Sequence, residues 1–115
     1  MFVVCVIVSV LLAVMLLASA GAKLTKAAPV VENLGSIGVP LAWFPRLALL
    51  EILGAIGLVV GLFAPPIGVA AAIGVLCYFA AALSFHVRAG DRNVAPPLVF
   101  FVLAVVALIT RLGSW

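Results

Sequence analysis

Charge-free stretches alternate with short polar segments along the chain. Apolar runs cover residues 2–22, 47–63, 67–86 and 94–110, and the acidic and basic residues within them are Glu51 and, at the end of the third, His86. A helix crossing a bilayer needs about 20 mostly apolar residues, with about 17 at the short end. The first and third runs meet that length, and the second and fourth lie at its lower limit, where flanking residues or local thinning compensate. The pattern predicts an all-α fold: an integral membrane four-helix antiparallel bundle, a single transmembrane domain over residues 1–115.

The segments between the runs have their own signals. "FAPPIG" joins the second and third runs. Its two prolines offer no amide hydrogens and stop a helix, so the flanking helices are expected to form a tight hairpin. In the first connection, Val30, Val31, Leu34 and Ile37 recur at helical spacing after Pro29. This predicts a short amphipathic helix at the membrane interface between helices one and two, limited to about two turns by Gly35, Gly38 and Pro40. Trp43, Phe44 and Trp115 read as interface anchors. The first run starts "MFVVCV", with no basic residue ahead of it, and is too long for the apolar core of a signal peptide, so it is expected to be retained.

Composition strengthens the membrane reading. Of 115 residues, 69% are hydrophobic and 8% charged, and the mean hydropathy is +1.55; ordinary soluble domains are about half apolar and about a quarter charged. The net charge of +3 does not indicate nucleic acid, because no basic stripe is interleaved with aromatics. Lys23, Lys26, Arg46, Arg88 and Arg92 fall on one side of the predicted topology and Arg111 on the other. That asymmetry makes loops 23–46 and 87–93 cytoplasmic and both termini external. Cys5 and Cys77 would lie at depths differing by roughly 10 Å, too far for a disulfide, and are expected to be buried structural thiols.

Small residues mark the expected helix contacts. Gly54, Gly57 and Gly61 on helix two, and Gly68 and Gly74 on helix three, give faces on which helices close in. They would serve packing within the chain or a homodimer.

The candidate chemistry sits at one edge. Antiparallel helices bring Lys23, Glu51, His86 and Arg88 to the same level, with nothing comparable at the opposite edge. Glu51, expected one turn inside helix two, lies about 60° from Gly54 on the helical wheel and so borders the small-residue face. An ionisable group in a membrane helix is expensive and normally faces inward with a partner. Lys23 is the partner in reach, and His86 is suited to proton exchange near neutral pH. Three readings stay open: an ion pair fixing helix register, a ligand-binding or proton-handling site, or a metal site, the last starved of ligands. No serine–histidine triad, phosphate loop or Cys–x–x–Cys is present.

Four motifs, taken together, resemble the DoxX-like family of small four-helix membrane proteins: "SAGAKL", "LGSIGVP", "LALLEILGAIGLVVGLFAPPIGVAAAIG" and "AALSFHVRAGD". The resemblance implies that Lys23, Glu51 and His86 occupy the family's recurring polar positions. It also implies residence in a bacterial cell membrane, and a link to membrane oxidoreductase complexes and redox stress. Without a redox group of its own, the chain would bind a quinone or other lipid, or serve a partner subunit that carries the electrons. A structural or assembly subunit is the alternative. A transporter or channel is disfavoured, since the polar groups form a layer and not a path.

Overall fold

The computed structural model describes residues 2–25, 41–88, 90 and 95–115. They form α1 (Phe2–Leu24), a 3₁₀ turn (Leu41–Trp43), α2 (Phe44–Val60), α3 (Pro65–Arg88) and α4 (Ala95–Gly113), with no strand among the described residues. Helices α1 and α3 are long and apolar enough to cross a membrane, and Pro97–Gly113 is a shorter apolar helix. The expected interfacial helix around residues 29–38 lies outside the described residues.

Proline moves the predicted boundaries. Helix α2 begins at Phe44 rather than at 47, because Pro45 sits in its first turn, where a missing amide costs no hydrogen bond. Pro65 and Pro66 likewise open α3, so "APP" starts the third helix as much as it ends the second. Helix α2 closes with tight turns, Leu62 N–H to Val59 O at 3.1 Å and Phe63 N–H to Val60 O at 3.0 Å. The earlier start puts Glu51 seven residues into α2, roughly 10 Å and two turns along the helix instead of one.

Helix α1 packs against α2 and α4, and α3 packs against the same two. The centre is filled largely by small or slender side chains: Ala13, Leu12 and Leu16 of α1, Ala55 of α2, Ala72 of α3 and Ala104 of α4. Large aliphatic residues such as Ile7, Val14, Leu49, Leu53, Ile56 and Ile109 face outward, while Lys23, Glu51, His86 and Arg111 are buried. The usual distribution of a water-soluble domain is thus inverted.

The glycines explain how α2 and α3 come so close. A Cβ on Gly61 would overlap the backbone of Gly68, one on Gly57 would lie 2.7 Å from Ala71 Cβ, and one on Gly54 would lie 2.8 Å from Val75 Cγ2. The face that offered a homodimer surface is therefore taken up by α3 of the same chain. Gly74 departs from its expected packing role: a Cβ there meets nothing within 4 Å.

Replacing Gly61 with Val should force the hairpin apart and lower stability by about 3 kcal/mol. Gly21, where an added Cβ meets nothing, should accept Val with little loss. Unfolding of both variants in mixed micelles checks the contrast.

Candidate functional site

One carboxylate joins three helices. On α1, Ser19 and Lys23 are one turn apart, and the Lys23 ammonium donates to Ser19 Oγ at 2.7 Å. The same ammonium lies 2.5 Å from Glu51 Oε1 on α2. From α3, the Tyr78 hydroxyl donates to that oxygen at 2.9 Å. The Glu51 side chain has no exposed surface and that of Lys23 is 10% exposed, so Lys23 and Tyr78 stand between the carboxylate and its surroundings. Glu51 Oε2 is buried and has no hydrogen-bond partner among the described residues.

These groups close one end of a cavity of about 790 Å³. Leu50, Leu53, Ala71, Gly74 and Val75 line its apolar part, and Ser19, Lys23, Glu51, Tyr78 and His86 its polar part. Aromatic rings flank the polar end. Trp43 and Phe85 meet edge to face at 6.3 Å, and Phe79 stacks on Phe100 at 4.5 Å. All four rings belong to the lining. The volume is that of a cleft for one small ligand, mostly apolar with a few placed polar groups.

Lys23 and Glu51 thus meet directly, and His86, itself buried, lines the same cavity. Arg88 does not join them: it is exposed and absent from the lining, because the last turn of α3 carries it past the packed region. Sequence reasoning missed Tyr78 and Ser19. Tyr78 had a signal, being the one tyrosine of the chain and set in an apolar helix, where a buried hydroxyl needs a partner. Cys5 is buried as expected, but Cys77 is exposed and lines the cavity, as the groove leaves that side of α3 uncovered. Among the described residues no three His, Cys, Asp or Glu side chains are grouped to hold a metal ion.

The opposite edge is not empty either. Arg111 of α4 is buried, its Nη1 donating to Gly61 O at 3.2 Å and its Nη2 to Ser114 O at 3.3 Å, with the guanidinium 5.4 Å from the centre of the Phe2 ring. The carbonyls ending α2 lack intrahelical partners and carry the negative end of the helix dipole, so a cation belongs there. The expectation of a single polar layer fails because helix ends need partners as much as side chains do.

Chemically, the polar end offers hydrogen-bond donors and acceptors of the kind a polar head group uses. Of the three hydrogens on the ammonium, two serve Ser19 and Glu51. Tyr78, donating to Glu51, keeps oxygen lone pairs as acceptors. The ion pair as a unit is neutral.

The chain belongs to the DoxX-like family, whose sequence model matches residues 7–107. No curated protein and no solved structure matches it. Family membership, with two helices apolar enough to cross a bilayer, supports a small membrane protein.

Removing Lys23 alone leaves a buried charge without its counter-ion. Lys23→Ala should therefore cost about 3–5 kcal/mol, and Tyr78→Phe about 1.5–3 kcal/mol, for a hydrogen bond to a charged acceptor. Unfolding in detergent micelles orders the two. A lipid-soluble maleimide should alkylate Cys77 readily and leave Cys5 unmodified in the folded protein, as mass spectrometry of the intact chain would read.

Proposed function

We propose that this DoxX-like protein is a four-helix bundle spanning a bacterial cell membrane as one domain. It holds a quinone or another lipophilic ligand in the cavity, alone or as a subunit of a membrane oxidoreductase complex. The observation that carries the reading is the cavity itself: a mostly apolar cleft ending on the Ser19–Lys23–Glu51–Tyr78 chain and His86. The ligand's head meets Lys23, Tyr78 and His86. Glu51 holds the first two in place from behind.

Three features support the membrane setting. The outward-facing surface is rich in large aliphatic side chains. The helices extend 40 Å along the long axis, against a hydrocarbon core of about 30 Å. Burial also sharpens the charge asymmetry. Lys23 is spent in an ion pair and Arg111 on carbonyls, and the other cations of the sequence, Lys26, Arg46, Arg88 and Arg92, all fall on the side of the two polar connections. That asymmetry supports cytoplasmic connections and external termini.

A second reading is a structural subunit, in which the ion pair only locks helix register. The snug Lys23–Glu51–Tyr78 chain favours it as well. One double variant separates the two. Replacing both charges by apolar residues of similar size often leaves stability unchanged or raised, so Lys23→Met with Glu51→Leu should fold and insert. The ligand reading expects native mass spectrometry from lipid nanodiscs to show a lipophilic adduct on the wild type and none on this variant. Retention of the adduct by the double variant would overturn it.

A further inference from the structure

Gly74 stands apart from the other glycines of the α2–α3 hairpin. Gly54, Gly57, Gly61 and Gly68 are each filled against by a neighbouring helix, whereas a Cβ on Gly74 would meet nothing within 4 Å. Gly74 is exposed and lines the cavity. Among the described residues it therefore serves no packing contact, and in a helix interior glycine costs about 0.8–1.0 kcal/mol relative to alanine. What it provides is room in the cavity wall.

The cavity is also long and graded. Its lining runs along α3 from Ala71 to His86, roughly 22 Å at 1.5 Å per residue. Tyr78, with Lys23 and Glu51 beside it, lies about midway, and from there to His86 come most of the aromatic rings. The part toward Ala71, around Gly74, has Leu53, Gly54 and Val75. A head group alone would leave the roughly 10 Å from Tyr78 to Ala71 unfilled. At the polar end Lys23 and Glu51 pair and cancel, so neither is left as a lone charge to hold an ionic head.

Resting on the lipophilic-ligand reading above, we infer that the site takes a neutral, single-tailed amphiphile. Its hydrogen-bonding head sits at Lys23 and Tyr78, its aliphatic tail runs along α3 past Gly74, and Gly74 sets the tail length that the site accepts. Such a ligand comes sideways from the bilayer, since Leu50 and Leu53 of the lining are exposed. Because the tail leaves one apolar medium for another, it gains little on transfer. Selectivity for length comes from steric exclusion and not from added affinity.

The test uses tetramethyl- and trimethyl-decyl-1,4-benzoquinone as the methyl and decyl probes, whose fully substituted rings leave no free position for addition of the Cys77 thiol, in phosphatidylcholine nanodiscs. Both quench indole fluorescence. The readout is Trp43, in the lining, after Trp115→Phe removes the other tryptophan. Affinities are referred to probe concentration in the bilayer. The parent should bind both probes about equally. Gly74→Leu should bind the methyl probe as the parent does and the decyl probe about ten-fold or more weakly, from the clash with the added side chain. Gly21→Leu, outside the lining and equally free of neighbours, should match the parent with both.

Equal loss of both probes in Gly74→Leu, or undiminished decyl binding by it, would overturn the tail path and leave the ligand site standing. A parent that takes the methyl probe and refuses the decyl one would do the same. If the parent binds neither probe against the phosphatidylcholine background, the site reading itself falls, and this inference with it.

Discussion

The Glu51 carboxylate is the constraint around which the rest of the molecule is arranged. A carboxylate sealed from solvent among apolar helices is tolerable only when charge and hydrogen bonds compensate it. Here the compensation comes from two other helices, an ammonium from α1 and a hydroxyl from α3. Because each donor must reach the same oxygen, the relative depth and rotation of three helices are specified together. Aliphatic contacts could not do this, since one leucine substitutes for another with little penalty. In lipid, where tails are as apolar as the helix faces, such a polar tie carries more of the specificity than it would in water.

Close packing does the remaining work, unevenly along the hairpin. Near the "APP" turn, Gly61 and Gly68 bring α2 and α3 into backbone contact, and Arg111 seals the carbonyls above them. Toward the other end the side chains between these helices become larger and aromatic, and the helices no longer fill the space between them. The cavity opens on this hairpin where Val75, Tyr78 and the aromatic rings take the place of the glycine contacts. The same hairpin thus supplies both the scaffold and the site.

Much of this was legible in the sequence. Four helices follow from four apolar runs, the family from motifs spread along most of the chain, and the meeting of Lys23 with Glu51 from the expense of an intramembrane charge. The rest was hidden for identifiable reasons. Helix starts shifted because Pro45, Pro65 and Pro66 sit inside first turns, where proline is welcome. Tyr78 escaped notice because its aromatic body matches an apolar run and only its hydroxyl betrays it. Gly74 resembled Gly68 in sequence, and only the three-dimensional gap separates a glycine that admits a helix from one that admits empty space. Arg111 was counted only as a charge on the side of the termini, because a sequence does not display unpaired carbonyls. Cys77 was misjudged because burial in a membrane helix is decided by neighbours, not by hydropathy.

The short Lys23–Glu51 distance has an electrical consequence. A lone carboxylate at that depth would feel the transmembrane voltage, which is worth about 2.3 kcal/mol per elementary charge moved across 100 mV. Two opposite charges 2.5 Å apart sample almost the same potential, and their responses cancel. In an energised membrane the Lys23–Glu51 pair would therefore be electrically silent, and helix tilt that moves the two together would proceed alike with or without a voltage.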